Sequence, residues 1–150
     1  MSLKIIHTAD WHLGQTFFGY DRDEEHEAFL SWLIDILTLR QTDVLLIAGD
    51  VFDVANPSAA AQRRFFRFLR EANRRNPQLQ IVIIAGNHDS AARLEAPIPL
   101  LEELNTSIVG AVPRTDLCKI DFDSLLIPLY NKEGKREAIC LAVPYLRQGD

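Results

Sequence analysis

Three short apolar runs along the chain each end in a polar cluster. Residues 4–9 lead into Asp10-Trp11-His12, residues 44–48 into Gly49-Asp50-Val51-Phe52-Asp53, and residues 81–85 into Gly86-Asn87-His88-Asp89. Short runs rich in β-branched residues and bounded by turn formers read as buried strands, each delivering its polar residues at the strand's C-terminal end. Between the first two runs, residues 23–40 hold Phe29, Leu33, Ile36 and Leu37 at helical spacing. The acidic Asp23, Glu24 and Glu25 at its front suit a helix N-terminus. Between the second and third runs, Asn56 is the expected N-cap and Pro57 a first-turn residue of a helix whose inner face carries Phe65, Phe68, Leu69 and Ala72. The resulting βαβαβ order predicts a parallel sheet with right-handed crossovers. All three polar clusters then lie along one edge, where open α/β sheets take ligands.

Downstream, the pattern predicts a short helix over 97–104 and a strand over 107–112. Strands over 117–122, 124–130 and 137–143 follow, the last two joined by the turn Asn131-Lys132-Glu133-Gly134. These would begin a second sheet packed on the first. No closing element follows Tyr145, so residues 1–150 are expected to form one domain that is incomplete at its C-terminal end. The first helix is apolar over more than one face: Phe29, Leu30, Trp32, Leu33, Ile34, Ile36, Leu37 and Leu39 cover an arc of roughly 220°, against the stripe of about 100° that one sheet requires. Two coverings fit the excess, a neighbouring helix or loop of the same chain, or the same helices of a second copy in a two-fold homodimer. Trp32, and Phe66 on the second helix, are the candidate interface aromatics.

Composition narrows the class. The 150 residues are 47% apolar and 25% charged, which suits one globular domain with its own core. No apolar run approaches the ~18 residues of a membrane span, and no basic-apolar-small leader opens the chain, so a cytoplasmic protein without a membrane partner is expected. Cys118 and Cys140 stand far apart and outside any CxxC spacing, as free thiols do. The net charge of −5 matters more. A domain of this sign repels phosphates as a whole, so phosphate chemistry here must depend on local positive charge from a helix N-terminus, arginines or bound metal ions. Arg63, Arg64, Arg67, Arg70, Arg74 and Arg75 lie opposite the apolar stripe of the second helix. They read first as a solvated face and second as phosphate contacts.

The polar clusters carry the candidate chemistry. Asp10, His12, Asp50, Asn87 and His88 offer carboxylate, imidazole and amide groups, a mixed oxygen and nitrogen set that suits Mn²⁺, Fe²⁺ or Zn²⁺ better than Ca²⁺. Asp10 and His12, two residues apart, point the same way in extended chain and could share one ion. Gly49 and Gly86 each directly precede a donor, where the lack of a Cβ permits a sharp turn. Asp50, on the central strand, is placed to bridge two ions; a pair roughly 3.5–4 Å apart would hold both the attacking and the leaving oxygens of a displacement at phosphorus. Each cluster alone reads as an ordinary strand-end turn. Three of them at successive strand ends point to one metal site. His7, inside the first strand, is expected in the core, and His26, on the first helix, in packing or an interface.

Taken together, His7-Thr8-Ala9-Asp10-Trp11-His12-Leu13-Gly14, Gly49-Asp50-Val51-Phe52-Asp53 and Gly86-Asn87-His88-Asp89-Ser90 resemble the first three motifs of the calcineurin-like metallophosphoesterases. Gln15, Glu25-His26 with Phe29-Leu30 and Trp32-Leu33, and Arg93-Leu94 extend the likeness to the SbcD family of bacterial DNA repair nuclease subunits. The resemblance implies an α/β/β/α sandwich with a parallel-rich first sheet, and two divalent ions, Mn²⁺ above others. Asp10 and His12 would hold one ion, Asp50 would bridge, and Asn87 would hold the second. It further implies that His88 is an unliganded catalytic imidazole oriented by Asp53. DNA would be the substrate, cut as exonuclease or endonuclease, with an SbcC-like ATPase subunit and a homodimer as partners. The family completes its metal shell with histidines from two later motifs. No histidine follows His88, so the shell is expected to be incomplete in these residues. Two other readings stay open: a different calcineurin-like phosphodiesterase or phosphatase, and a non-catalytic assembly fragment.

Overall fold

The computed structural model describes residues 2–101 and 104–147. Along the chain run β1 (Ile5–Thr8), β2 (Thr16–Phe17), β3 (Tyr20–Asp21), α1 (Asp23–Leu39), β4 (Val44–Ala48), α2 (Ala59–Arg75), β5 (Gln80–Ile84), α3 (Ala91–Glu95), α4 (Ile98–Leu101), β6 (Thr106–Val109), β7 (Leu126–Tyr130) and β8 (Arg136–Leu141). The main sheet has the order β1-β4-β5-β6, every pair parallel, as the alternation of strand and helix predicts. β7 and β8 form a separate antiparallel pair, the start of the second layer.

The central strands are apolar on both faces because both are covered. Leu45 and Ile47 of β4 and Ile81 and Ile83 of β5 face α1 and α2, in a core with Leu33, Leu37, Phe65, Phe68 and Leu69. Val44 and Val82 point the other way, onto Leu125, Leu129 and Ala142 of the second layer. Each fully buried Leu, Ile or Phe of this kind stabilises the fold by roughly 1.5–3 kcal/mol. Two buried polar side chains stitch the layers. Gln80 donates to Pro128 O at 2.8 Å and accepts from Tyr130 N at 3.3 Å, while the Asp43 carboxylate accepts from Lys4 N at 2.7 Å and Lys132 N at 3.2 Å.

α1 and α2 lie side by side, so part of the wide apolar arc of α1 is covered within the chain. Leu30, Leu33, Ile34 and Leu37 are buried, whereas Trp32 and Leu39 stay exposed. Phe66 is half-buried against Phe65, with ring centroids 5.4 Å apart, and is not the fully exposed aromatic its helical position suggests. Nor is the arginine face wholly solvated. Arg64 is buried and pairs with Asp23 at 2.8 Å and Glu27 at 2.9 Å, because α1 presents its acidic first turn there.

Several expected elements form differently. The N-cap of α2 is Ser58, whose Oγ accepts from Ala61 N at 3.1 Å, in place of Asn56. Of the helix expected over 97–104, α4 forms over 98–101; a short helix that was not expected, α3, precedes it over 91–95, and the two are separated at Ala96-Pro97, where proline has no N–H to continue a helical ladder. Residues 102–103 of that expectation lie outside the described residues. Residues 117–122 make no strand: Cys118 N donates to Thr115 O and Thr115 N to Lys119 O, both at 2.8 Å, so the chain folds back on itself and leaves only a bridge between Arg114 and Ile120. His7 is exposed and not a core residue. It sits on the edge strand β1 and points away from the face on which Ile6 packs against the helix-side core. His26 is buried, as packing on α1 predicts. Both cysteines are free.

Candidate metal centre

All three polar clusters emerge at the C-terminal ends of β1, β4 and β5, and parallel register brings them to one edge. The chain turns sharply there. Asp10, His12 and Asp50 adopt positive φ of 56°, 47° and 48°, and Gly49 sits at 89°. Left-handed backbone at non-glycine residues costs on the order of 1–3 kcal/mol each and persists where surrounding structure over-determines it. Backbone bonds do so here: Asp10 N donates to Gly49 O at 3.1 Å, His12 N to Asp50 O at 2.9 Å and Leu13 N to Val51 O at 3.0 Å. Gly86 is required for a different reason. A Cβ there would lie 2.1 Å from Asp50 Oδ1 and 2.3 Å from Asp50 N.

His12 is the hub. Its Nε2 lies 3.9 Å from Asp10 Oδ1 and 4.0 Å from Asp50 Oδ2, and its Nδ1 lies 3.3 Å from Asp53 Oδ1. That buried Nδ1 makes no hydrogen bond, so its closeness to Asp53 is one of position without hydrogen-bond alignment. Two sets, Asp10–His12–Asp50 and His12–Asp53–His88, bring their donor atoms within 4.8 Å of one another. The 3.9–4.0 Å separations are no wider than two metal–donor bonds of about 2.1 Å laid end to end. Carboxylates of Asp10, Asp50 and Asp53 thus converge on one imidazole, an arrangement that a divalent cation relieves, and the donor set fits such an ion. Asn87 is exposed and lines, with Asp10, Gly49, Asp50 and Gly86, an open depression of roughly 320 Å³ at the same edge.

His88 faces this group edge-on to His12, with ring centroids 5.0 Å apart. Its backbone N donates to Asp50 Oδ1 at 2.9 Å, and its Nδ1 lies 2.7 Å from the backbone carbonyl of Asp53. A carbonyl only accepts, so Nδ1 carries the proton. That bond, followed by the nearby carboxylates of Asp50, Asp53 and Asp89, outweighs the opposing desolvation and holds the His88 pKa above its ordinary value. The contact differs from the expected one in a single respect: Asp53 orients His88 through its carbonyl, and its carboxylate turns to His12.

Asp89 stands outside the set of site residues singled out from the sequence, although it closes the Gly86-Asn87-His88-Asp89 motif. Its carboxylate is buried and accepts from Val51 N at 3.1 Å, Phe52 N at 3.0 Å and Gly86 N at 2.9 Å. It fastens the loop after β4 to the loop after β5.

Comparison with known proteins places the chain in a family. Residues 3–137 match the family model described as calcineurin-like phosphoesterase. The chain is 50% identical over 148 residues to a Rhodobacter capsulatus protein named as the SbcD component of nuclease SbcCD, covering 99% of this chain and 36% of that relative. It is 34% identical over 148 residues to the protein of the same name from Escherichia coli K12, covering 99% of this chain and 34% of the relative. With the Bacillus subtilis protein of that name it shares 40% identity over 122 residues, covering 81% of this chain and 31% of the relative. The chain therefore spans about a third of the length of the curated relatives it matches.

Proposed function

From the premise that the chain belongs to the calcineurin-like phosphoesterase family, whose members bind divalent metals, we propose that it supplies the first metal donors and the catalytic imidazole of an SbcD-like DNA nuclease. Asp10 and His12 would hold one ion, Asp50 would be shared between the two, and Asn87 would hold the second through its amide oxygen, with Mn²⁺ the favoured metal for this mixed donor set. When bound, the ions supply Lewis-acid polarisation of a phosphodiester and offset its charge. His88, with its Nδ1 proton given to the Asp53 carbonyl, has Nε2 left for the substrate. As imidazolium it would donate to a phosphoryl oxygen or protonate the leaving alkoxide.

The observation that carries this reading is the convergence of Asp10, Asp50 and Asp53 on His12 at three parallel strand ends. DNA is the favoured substrate because relatives named as the SbcD component of nuclease SbcCD align along 99% of the chain. A working complex with an SbcC-like ATPase subunit, homodimerisation and a place in the cytoplasm belong to the same proposal. Among the described residues no helix is long and apolar enough to cross a membrane. The test uses the full-length protein with Mn²⁺, duplex DNA ends and bis(4-nitrophenyl) phosphate as alternative substrates. Cleavage of DNA that Asp50→Asn abolishes is the expected result. Turnover of the small diester with intact DNA would overturn the nuclease reading in favour of another phosphodiesterase.

A further inference from the structure

Between the donor His12 and helix α1 the chain makes a hairpin for which the core has no use. β2 and β3 pair only Thr16 with Asp21 and Phe17 with Tyr20, and the turn between them is Phe18-Gly19. Phe17, Phe18 and Tyr20 are 65%, 88% and 77% exposed. Phe17 and Tyr20, directly opposite, share one face, and Phe17 meets Phe18 edge-on with ring centroids 4.6 Å apart. Both turn residues have positive φ, 50° at Phe18 and 83° at Gly19. Two-residue hairpin turns of this kind favour Asn or Asp followed by Gly. Phe18 is therefore a poor turn residue held in strained backbone that leaves it outside the core, with its ring against Phe17.

The hairpin is anchored on the metal centre. Gln15 N donates to His12 O at 3.0 Å, and Arg22 Nη1 donates to Gln15 Oε1 at 2.8 Å to close the hairpin's foot. A depression of roughly 410 Å³ lined by Asp10, His12, Gln15 and Arg22 runs from the donors to that foot. Chain length limits Phe17 to within roughly 17 Å of His12, a distance that a few nucleotides span. Charge decides what could be gripped there. Asp21, Asp23, Glu24 and Glu25 surround the foot, and Arg22 is engaged by Glu25 at 2.5 Å. These carboxylates disfavour a sugar–phosphate chain at the hairpin foot. What remains attractive is the uncharged face of a base.

We propose that Phe17, Phe18 and Tyr20 form a stacking platform for unpaired bases beside the scissile phosphodiester, which makes the hairpin a specificity determinant for single-stranded segments. The proposal rests on the nuclease reading above and adds the substrate feature that the site selects. Base–aromatic stacking is sequence-tolerant and amounts to ~1–3 kcal/mol per base.

The experiment measures steady-state cleavage by the full-length protein with Mn²⁺ on three substrates: a single-stranded oligonucleotide, the same oligonucleotide with abasic sites flanking the cut, and bis(4-nitrophenyl) phosphate. Phe18→Asn preserves the turn and removes the ring; Tyr20→Thr suits the strand equally. The double variant is expected to raise KM for the intact oligonucleotide by about tenfold or more. It should leave kcat/KM for the small diester, which ends short of the hairpin, at the wild-type value. Phe18→Trp should restore the KM, and the wild type should show a similarly raised KM on the abasic substrate. An unchanged KM on either the double variant or the abasic strand overturns the platform, as does an equal loss on DNA and small diester. A wild type that hydrolyses the small diester and no DNA removes the nuclease reading itself, and the platform with it.

Discussion

At Gly86 one methyl group would collide with the carboxylate around which the centre is organised. A Cβ 2.1 Å from Asp50 Oδ1 cannot be accommodated unless Asp50 or the β5 loop moves. Gly86→Ala is expected to cost about 1–3 kcal/mol of stability through overpacking, read as a lower urea midpoint. It should also weaken Mn²⁺ binding in calorimetry, because the displaced group is the carboxylate proposed to be shared by both ions. Unchanged binding would show that Asp50 is not a ligand. His88 separates structure from chemistry in the opposite sense. In the full-length protein, His88→Ala is expected to leave Mn²⁺ affinity unchanged and to lower turnover by roughly 10²–10⁴, the usual contribution of a positioned acid or base. Loss of metal on that replacement would make His88 a ligand. The meeting of Asp10, His12 and Asp50 at one edge was legible in the sequence because each follows an apolar run whose end is easily placed. The division of labour within Asp53 was not legible. Which of its two oxygen-bearing groups meets His88 depends on how two loops from different strands cross.

Elements whose burial pattern is uniform were the easiest to read. β4 has the expected bounds, 44–48, because both its faces are covered and the apolar run has clear limits. Residues 117–122 misled for a physical reason: Leu117, Ile120 and Phe122 among polar neighbours mimic strand periodicity, but close-range backbone bonds around Thr115 and Cys118 compete successfully with sheet pairing. The β2–β3 hairpin left no periodic trace, since two-residue strands are too short to show one. Helix α1 carries a prediction through His26, which is buried and has an Nδ1 without a hydrogen-bond partner. Burial first, then Arg22 and Arg64, hold its pKa below the ordinary 6.5, against a smaller opposing pull from Asp23 and Glu25. The unfolded chain takes up a proton near 6.5 while the native chain resists it. Stability is therefore full above that value, declines as pH falls below it, and has lost the whole contribution once pH passes the lowered native pKa. Urea midpoints at about pH 7.5 and 5.5 should differ in the wild type and converge in His26→Leu. A slope that survives the substitution assigns the effect elsewhere.

At the scale of the whole molecule, the parallel sheet and its edge of polar clusters were readable from strand–helix alternation alone, whereas the outer surfaces were not. The expected arginine face is partly drawn into α1 through Arg64, and Trp32, not Phe66, is the more exposed of the two interface candidates. If α1 and α2 pair with their copies about a two-fold axis, sedimentation should give a dimer that Trp32→Asp or Phe66→Asp dissociates. A dimer indifferent to both substitutions would move the interface off these helices. One fastening inside the molecule also sets a time scale. The amide protons of Val51 and Phe52 end on the buried Asp89 carboxylate, so neither can meet solvent unless two strand-end loops part together, and Gly86 N is held by the same carboxylate from within its own loop. In hydrogen exchange Val51 and Phe52 should behave as one slow group that opens with the sheet itself, while the amides of the exposed Phe18-Gly19 turn exchange at once. A cation arriving at this edge would then find its cradle already assembled, and the rate of its capture would be set by diffusion and the shedding of water, with no wait for the chain to become ordered.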